Sequence, residues 1–254
     1  MTETLASKAW RKLRTVGALC YYLGIVPMIR IPTLLPFVFA TPFTILFILY
    51  VNGNPAAFQY GVAGAITMTV SQQGLFLGAD LTNYKIEHKF QSMVVASPVT
   101  PLTYMFSVAL SELVFAAPAV AILLAVVAST TSGIAPVAIL QILAVVLMTW
   151  VTTSSIGFFL STYLLNTRTA FLTVSFISIL LSILPPVFYP IRVIPEQVRW
   201  LASLVPTTHS SVLIQNAVGL PVAGSEATVS WLALPAFTAT FLLLALYKAK
   251  WREN

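Results

Sequence analysis

The sequence predicts an all-α membrane protein: an N-terminal interfacial amphipathic helix, six transmembrane helices, and short external re-entrant helices between the fifth and sixth spans. Three observations carry this reading. Of the 254 residues, 58% are hydrophobic and only 8% charged, against roughly 25% charged in a soluble domain. The mean hydropathy is +0.92, and a soluble fold of this length could not hide so much apolar surface, so lipid serves as solvent for most of it. The apolar segments run continuously instead of alternating, which speaks against membrane strands, whose open backbone cannot face lipid.

Taken in order, Lys8, Arg11, Lys12 and Arg14 precede an apolar run from Val16 to Met28. That run is too short for a hydrocarbon core about 30 Å thick. No small-x-small cleavage site follows, so the segment reads as retained, an interfacial helix anchored by Trp10, Tyr21 and Tyr22 at headgroup level. Segments of spanning length follow at Ile31–Val51, Ala57–Leu77, Leu102–Ala128, Ala135–Leu164, Ala170–Phe188 and Ser230–Tyr247. The connections "VNGNPA", "STTSG", "LNTRT" and "GLPVAGSEA" supply turn residues between them. Residues 1–254 thus form a single transmembrane domain: an interfacial helix over 1–30, five spans over 31–188, an external helical hairpin and loop over 189–229, and the last span over 230–247.

Charge placement orients the chain. Eleven of the 13 Lys and Arg lie before the first span, in the second and fourth connections, or after the last span, leaving Arg192 and Arg199 for the opposite face. The positive-inside rule then puts both termini in the cytoplasm and the protein in the cytoplasmic membrane. The net charge of +6 accordingly reports topology and anionic lipid headgroups, not nucleic acid. The single Cys20 excludes an internal disulfide, and His88 and His209 are too far apart to suggest a metal motif.

The stretch "PPVFYPIRVIPEQVRW" (Pro185 to Trp200) falls on the external side. Its four prolines prevent a straight helix from emerging there. Beyond the break, Glu196–Leu204 and Thr207–Val218 have the length of short helices, the first with Pro195 at its start and Pro206 at its end. Neither is long enough to span, so both are expected on or in the outer leaflet, buried against protein where backbone groups need partners.

The second connection, "ADLTNYKIEHKFQSMVVASPVTPLTY" (Ala79 to Tyr104), sets Ile86, Phe90, Met93 and Val94 on one helical face beside Asp80, Lys85, Glu87, His88 and Lys89. Such a segment is either a grip for a soluble partner or a solvated loop anchored at the interface. With the basic amphipathic start, six spans, "ASPVT" closing this loop and "FYPIRVIPEQVRWLASLVPTTHSSVLIQ" before the last span, the chain resembles the type-2 ABC transporter permease family over almost its whole length. Glu87 matches the loop's usual acidic residue, Ser97 and Pro98 its Ser/Thr-Pro end, and Phe188, Tyr189, Pro190 and Pro195 the external motif.

The resemblance implies a mechanism. No G-x-x-x-x-G-K-[ST] phosphate loop occurs in the sequence, so the chain itself is not expected to be the enzyme or to bind a cofactor. ATP and Mg would belong to a separate ABC ATPase subunit, and a second permease copy, identical or related, would complete the pathway. The segment from Tyr84 to Val95, with Tyr84, Lys85, Glu87, His88, Lys89, Phe90 and Met93, would be the coupling helix.

Inside the membrane, Glu112 reads as the only acid well within a span. It either faces a substrate path or gate, or makes a structural contact to a neighbouring helix. Phe39, Phe43, Phe47 and Tyr50 repeat on one face of the first span, near Pro32, Pro36 and Pro42, and are candidates for an apolar cargo path or for packing. Gln72, Gln73 and the run Thr152 to Ser155 are expected either as interhelical glue or as the lining of a pathway. His209 lacks any identifiable partner for hydrolytic chemistry. The function expected is export of a hydrophobic or amphipathic molecule, drug or lipid-like. Export of a lipid-linked glycan, or ion-coupled carriage through Glu112, remain the alternatives.

Overall fold

Prolines and small polar caps decide where the helices begin. In the computed structural model, which describes residues 5–31, 34–87, 99–130 and 135–248, Asn54 caps the longest helix. Its side chain accepts from the Ala56 and Ala57 backbone N–H groups at 3.1 and 3.2 Å, with Pro55 in the first turn. Gly53, at φ 71°, supplies the left-handed residue of the preceding turn. Asn166 does the same for a later helix, accepting from Arg168 and Thr169.

Every regular element among the described residues is helical. In chain order they are α1 (Leu5–Cys20), a π-helical turn (Tyr21–Ile25), α2 (Val26–Arg30), α3 (Leu34–Val51), α4 (Pro55–Ile86), α5 (Pro101–Thr130), α6 (Pro136–Ser161), α7 (Thr167–Ile183), a 3₁₀ turn (Ile191–Val193), α8 (Glu196–Ser203), α9 (Pro206–Ala217) and α10 (Gly224–Lys248). Among the described residues, three segments are long and apolar enough to cross a membrane: Thr103–Thr130, Pro136–Ser161 and Gly224–Tyr247. The apolar stretch Val38–Val51 and α7 are shorter.

The 32-residue α4 is long enough, yet it is more polar than those three because neighbouring helices, not lipid, surround it. It is buried along most of its length from Tyr60 to Thr82, packed against α3, α5, α6, α7 and α9. Its approach to α6 is a backbone contact. A β-carbon placed on Gly78 would lie 2.5 Å from the Gly157 carbonyl oxygen, and one on Gly157 would lie 2.8 Å from that of Leu75. Glycines spaced by four, Gly74 and Gly78, permit this closeness, the arrangement that lets helices associate in lipid by van der Waals contact. Thr152 of α6 adds a hydrogen bond across to Thr238 of α10 at 2.8 Å, and Thr149 donates to Ser210 of α9 at 2.7 Å.

Several expected boundaries move, among them the start of the last span, expected at Ser230 where α10 begins at Gly224. The second apolar span was expected to end at Leu77, with Asp80, Tyr84 and Lys85 in the connection; α4 instead runs unbroken to Ile86 and carries all three. Nothing between Gly78 and Ile86 breaks a helix, and Leu81 and Thr82 are buried in register with Leu77 and Gly78. The fifth span was expected to reach Phe188, but α7 stops at Ile183. Leu184 still has helical backbone and donates to the Leu180 carbonyl, but the two prolines that follow have no N–H to donate to the previous turn, and the helix ends there.

Candidate functional site

Five helices and the N-terminal π turn line a cavity of about 300 Å³. From α4 come Gln73, Phe76, Asp80 and Tyr84, spaced by three, four and four residues and therefore on one helical face. α5 contributes Glu112 and Phe115, and α7 contributes Phe171 and Ser175. Leu23 of the π turn, Pro27 of α2 and Val38 of α3 close the remaining sides.

The π turn has a local cause. Pro27 has no N–H to give the turn before it, and the widened turn, closed by the Val26 N–H on the Tyr21 carbonyl, lies immediately upstream. There the helix comes close to α5: a β-carbon on Gly24 would meet that of Ser111 at 3.1 Å, one residue from Glu112.

Asp80 of α4 and Glu112 of α5 both line this cavity. Glu112 is only 3% exposed and Asp80 is half-buried. Two carboxyls at one site disfavour each other's ionisation. Glu112 was expected to be the only acid deep within a span. The structure corrects this by placing Asp80 beside it.

The other predicted residues divide. Tyr84 lines this cavity, whereas Lys85 and Glu87 lie at the end of α4. The Thr167 hydroxyl donates to Glu87 Oε1 at 3.2 Å, which brings the second and fourth connections together. His88, Lys89, Phe90 and Met93 lie outside the described residues. Phe39 and Phe43 form an edge-to-face pair with centroids 5.5 Å apart. Phe43 packs on the core while Phe47 is exposed, and none of the three Phe lines the cavity with Glu112.

At the opposite end, the proline segment Leu184–Tyr189 leaves carbonyls without intrahelical donors. α9 supplies them from one face of residues spaced by four: Thr207 donates to the Leu181 carbonyl at 2.6 Å and Ser211 to that of Pro186 at 3.0 Å. Gln215 Nε2 reaches the Pro186 and Val187 carbonyls at 3.5 and 3.4 Å. Such donors are what a polar helix needs to be buried. Of the external motif, Phe188 packs on the core and stands against Gly64, where a β-carbon would come 2.8 Å from its ring. The Tyr189 hydroxyl donates to the Leu184 carbonyl at 3.4 Å, and Pro190 and Pro195 precede the 3₁₀ turn and α8. The two short helices expected at Glu196–Leu204 and Thr207–Val218 are α8 and α9.

His209 is buried in α9. Its Nε2 donates to the Ser203 carbonyl at 2.9 Å, so its Nδ1 accepts from the Ser230 hydroxyl at 3.1 Å. Burial holds this imidazole below its ordinary value of 6.5, with the Ser203 carbonyl opposing.

Long apolar helices packed around a mostly buried central helix, with an acid pair at a cavity inside, define a membrane-embedded protein of the transport class. The ABC-2 type transporter profile matches residues 19–218. The chain belongs to the ABC-2 type transporter family, the membrane transport component of ABC systems and not their ATPase. No curated protein matches it.

Proposed function

We propose that this chain is the permease subunit of an ATP-driven exporter that moves a hydrophobic or amphipathic molecule across the cytoplasmic membrane, working with a separate ATPase that holds the ATP and Mg and with a second permease copy. The cavity between α3, α4, α5 and α7 is the observation that carries this reading, because its apolar and aromatic walls with few polar groups have the make-up of a small-molecule site. In this reading all six apolar segments span, α4 included, both termini are cytoplasmic, and α8 and α9 sit in the outer leaflet. The end of α4 from Tyr84 onward receives the partner's ATP-driven movement.

Transport into inside-out vesicles containing the permease and its co-expressed ATPase tests the proposal. Accumulation of an amphipathic dye is expected only with hydrolysable ATP, and accumulation that survives loss of hydrolysis refutes it. Glu87→Ala combined with charge reversal at Lys89 is expected to leave ATP hydrolysis intact while uncoupling it from transport. A carrier driven by an ion gradient is the second reading, favoured by the two carboxyls, Asp80 and Glu112, that line one cavity. Uptake driven by a pH gradient alone, abolished in Glu112→Gln, would establish that reading in place of the first.

A further inference from the structure

We propose that the cavity at Asp80 and Glu112 binds an organic cation, one positive charge on an aromatic or alkyl body. This deepens the export reading by naming its cargo class, and rests on that reading for the onward path alone.

The argument is one of charge and shape. Asp80 and Glu112 bring two carboxyls to one cavity; like charge keeps both from ionising together, and one ionised carboxylate leaves a single negative charge. Among the described residues lining the cavity there is no Lys or Arg to balance it. Tyr84 of α4 is the other titratable group among them, and the described lining residues of the π turn, α2, α3 and α7 are all uncharged. A charge at this depth is costly unless paired, and a monovalent guest cation completes the pair.

The remaining walls suit the guest's body. Phe76 and Phe171, with ring centroids 6.4 Å apart, stand with Phe115 around the space, offering π faces that attract a cation and apolar surface that excludes an anion's hydration shell. Leu23 and Val38 extend the apolar side toward the interfacial helix. A neutral amphiphile would gain only the apolar contact, and an anion would face the acid pair unscreened.

Binding of radiolabelled tetraphenylphosphonium to the purified full-length chain in detergent, measured by scintillation proximity, tests this without the ATPase. Saturable binding is expected, displaced by unlabelled tetraphenylphosphonium but not by tetraphenylborate, which has nearly the same shape and the opposite charge. Asp80→Asn with Glu112→Gln, which keeps the volume and removes the charge, weakens binding at least about tenfold. Ser175→Trp, which fills the cavity from α7 and leaves both acids in place, also abolishes binding, so the conclusion does not depend on one variant folding.

Equal displacement by tetraphenylborate, or unchanged binding in the double variant, overturns the inference. ATP-driven vesicle transport of a neutral amphiphile by a chain that does not bind tetraphenylphosphonium overturns it too while leaving the export reading standing. Charge-selective binding without any ATP-driven transport supports the site and refutes export.

Discussion

Gly78→Ala offers the sharpest check of the fold, because its neighbours are backbone atoms that cannot rotate away. The added carbon would lie 2.5 Å from the Gly157 carbonyl oxygen, 3.1 Å from its carbonyl carbon and 3.2 Å from its Cα. A relaxed carbon–oxygen contact is about 3.3 Å at its closest, so α4 and α6 must part by about 0.8 Å locally. Overpacking of this kind costs about 1–3 kcal/mol, and the helix propensity gained on replacing glycine by alanine returns about 1 kcal/mol at most. The net expectation is a loss of up to about 2 kcal/mol, read as a lower midpoint in SDS-driven unfolding from mixed micelles. Gly17→Ala is the matched control, since nothing lies within 4 Å of the added carbon in α1; it should be neutral or stabilising. A Gly78→Ala protein as stable as the parent would mean that α4 and α6 do not meet at Gly157, and the placement of α4 at the centre of the bundle would fall with it.

Other expectations concern single contacts. A double-mutant cycle on Thr152→Val and Thr238→Val should return a coupling of about 0.6 kcal/mol, the usual size for such bonds between helices in lipid; no coupling would remove the α6–α10 bond. Gln215→Leu takes a donor from the Pro186 and Val187 carbonyls and should cost about 1–3 kcal/mol in the same unfolding assay. His209 gives a pH signature. Its folded value lies below the ordinary 6.5, so the unfolded chain takes up the proton first, and stability falls as pH drops below that value until the folded form also protonates. Above it His209 contributes no slope, and His209→Gln should flatten the acid side of a stability profile. For topology, a cysteine at Arg192 in a Cys20→Ser background should react with an impermeant thiol reagent from outside only, and labelling from the inside alone would invert the proposed orientation.

Much of this was legible in the chain. The prolines between Pro185 and Pro206 mark breaks and helix starts by removing N–H groups, and α8 and α9 fall almost where that chemistry puts them. Asn54-Pro55 and Asn166 are local signals of the same kind. The end of α4 was harder to see. Asp80, Tyr84 and Lys85 were placed in the connection because polarity usually marks the surface, but α4 there is held by neighbours that a single sequence does not reveal.

For the same reason Asp80 was missed as Glu112's partner: 32 residues separate them in sequence, and only packing of α4 on α5 brings them together. A signal was present in the unbroken register Gly74, Leu77, Gly78, Leu81, which carries small and apolar residues past the expected boundary. The Phe39, Phe43, Phe47 repeat has helical spacing, yet periodicity fixes a face and not what that face meets, and Phe43 and Phe47 end in different surroundings.

The bond between Thr167 and Glu87 joins the last residue before α4 gives way to its connection with the first residue of α7. These are also the two helices whose phenylalanines, Phe76 and Phe171, face one another as jaws. Asp80 lies about 10 Å up α4 from that corner and Phe171 about 6 Å along α7, at 1.5 Å of rise per residue. Under the export proposal, a movement delivered at that corner would reach both helices, and with them the spacing of Phe76 and Phe171.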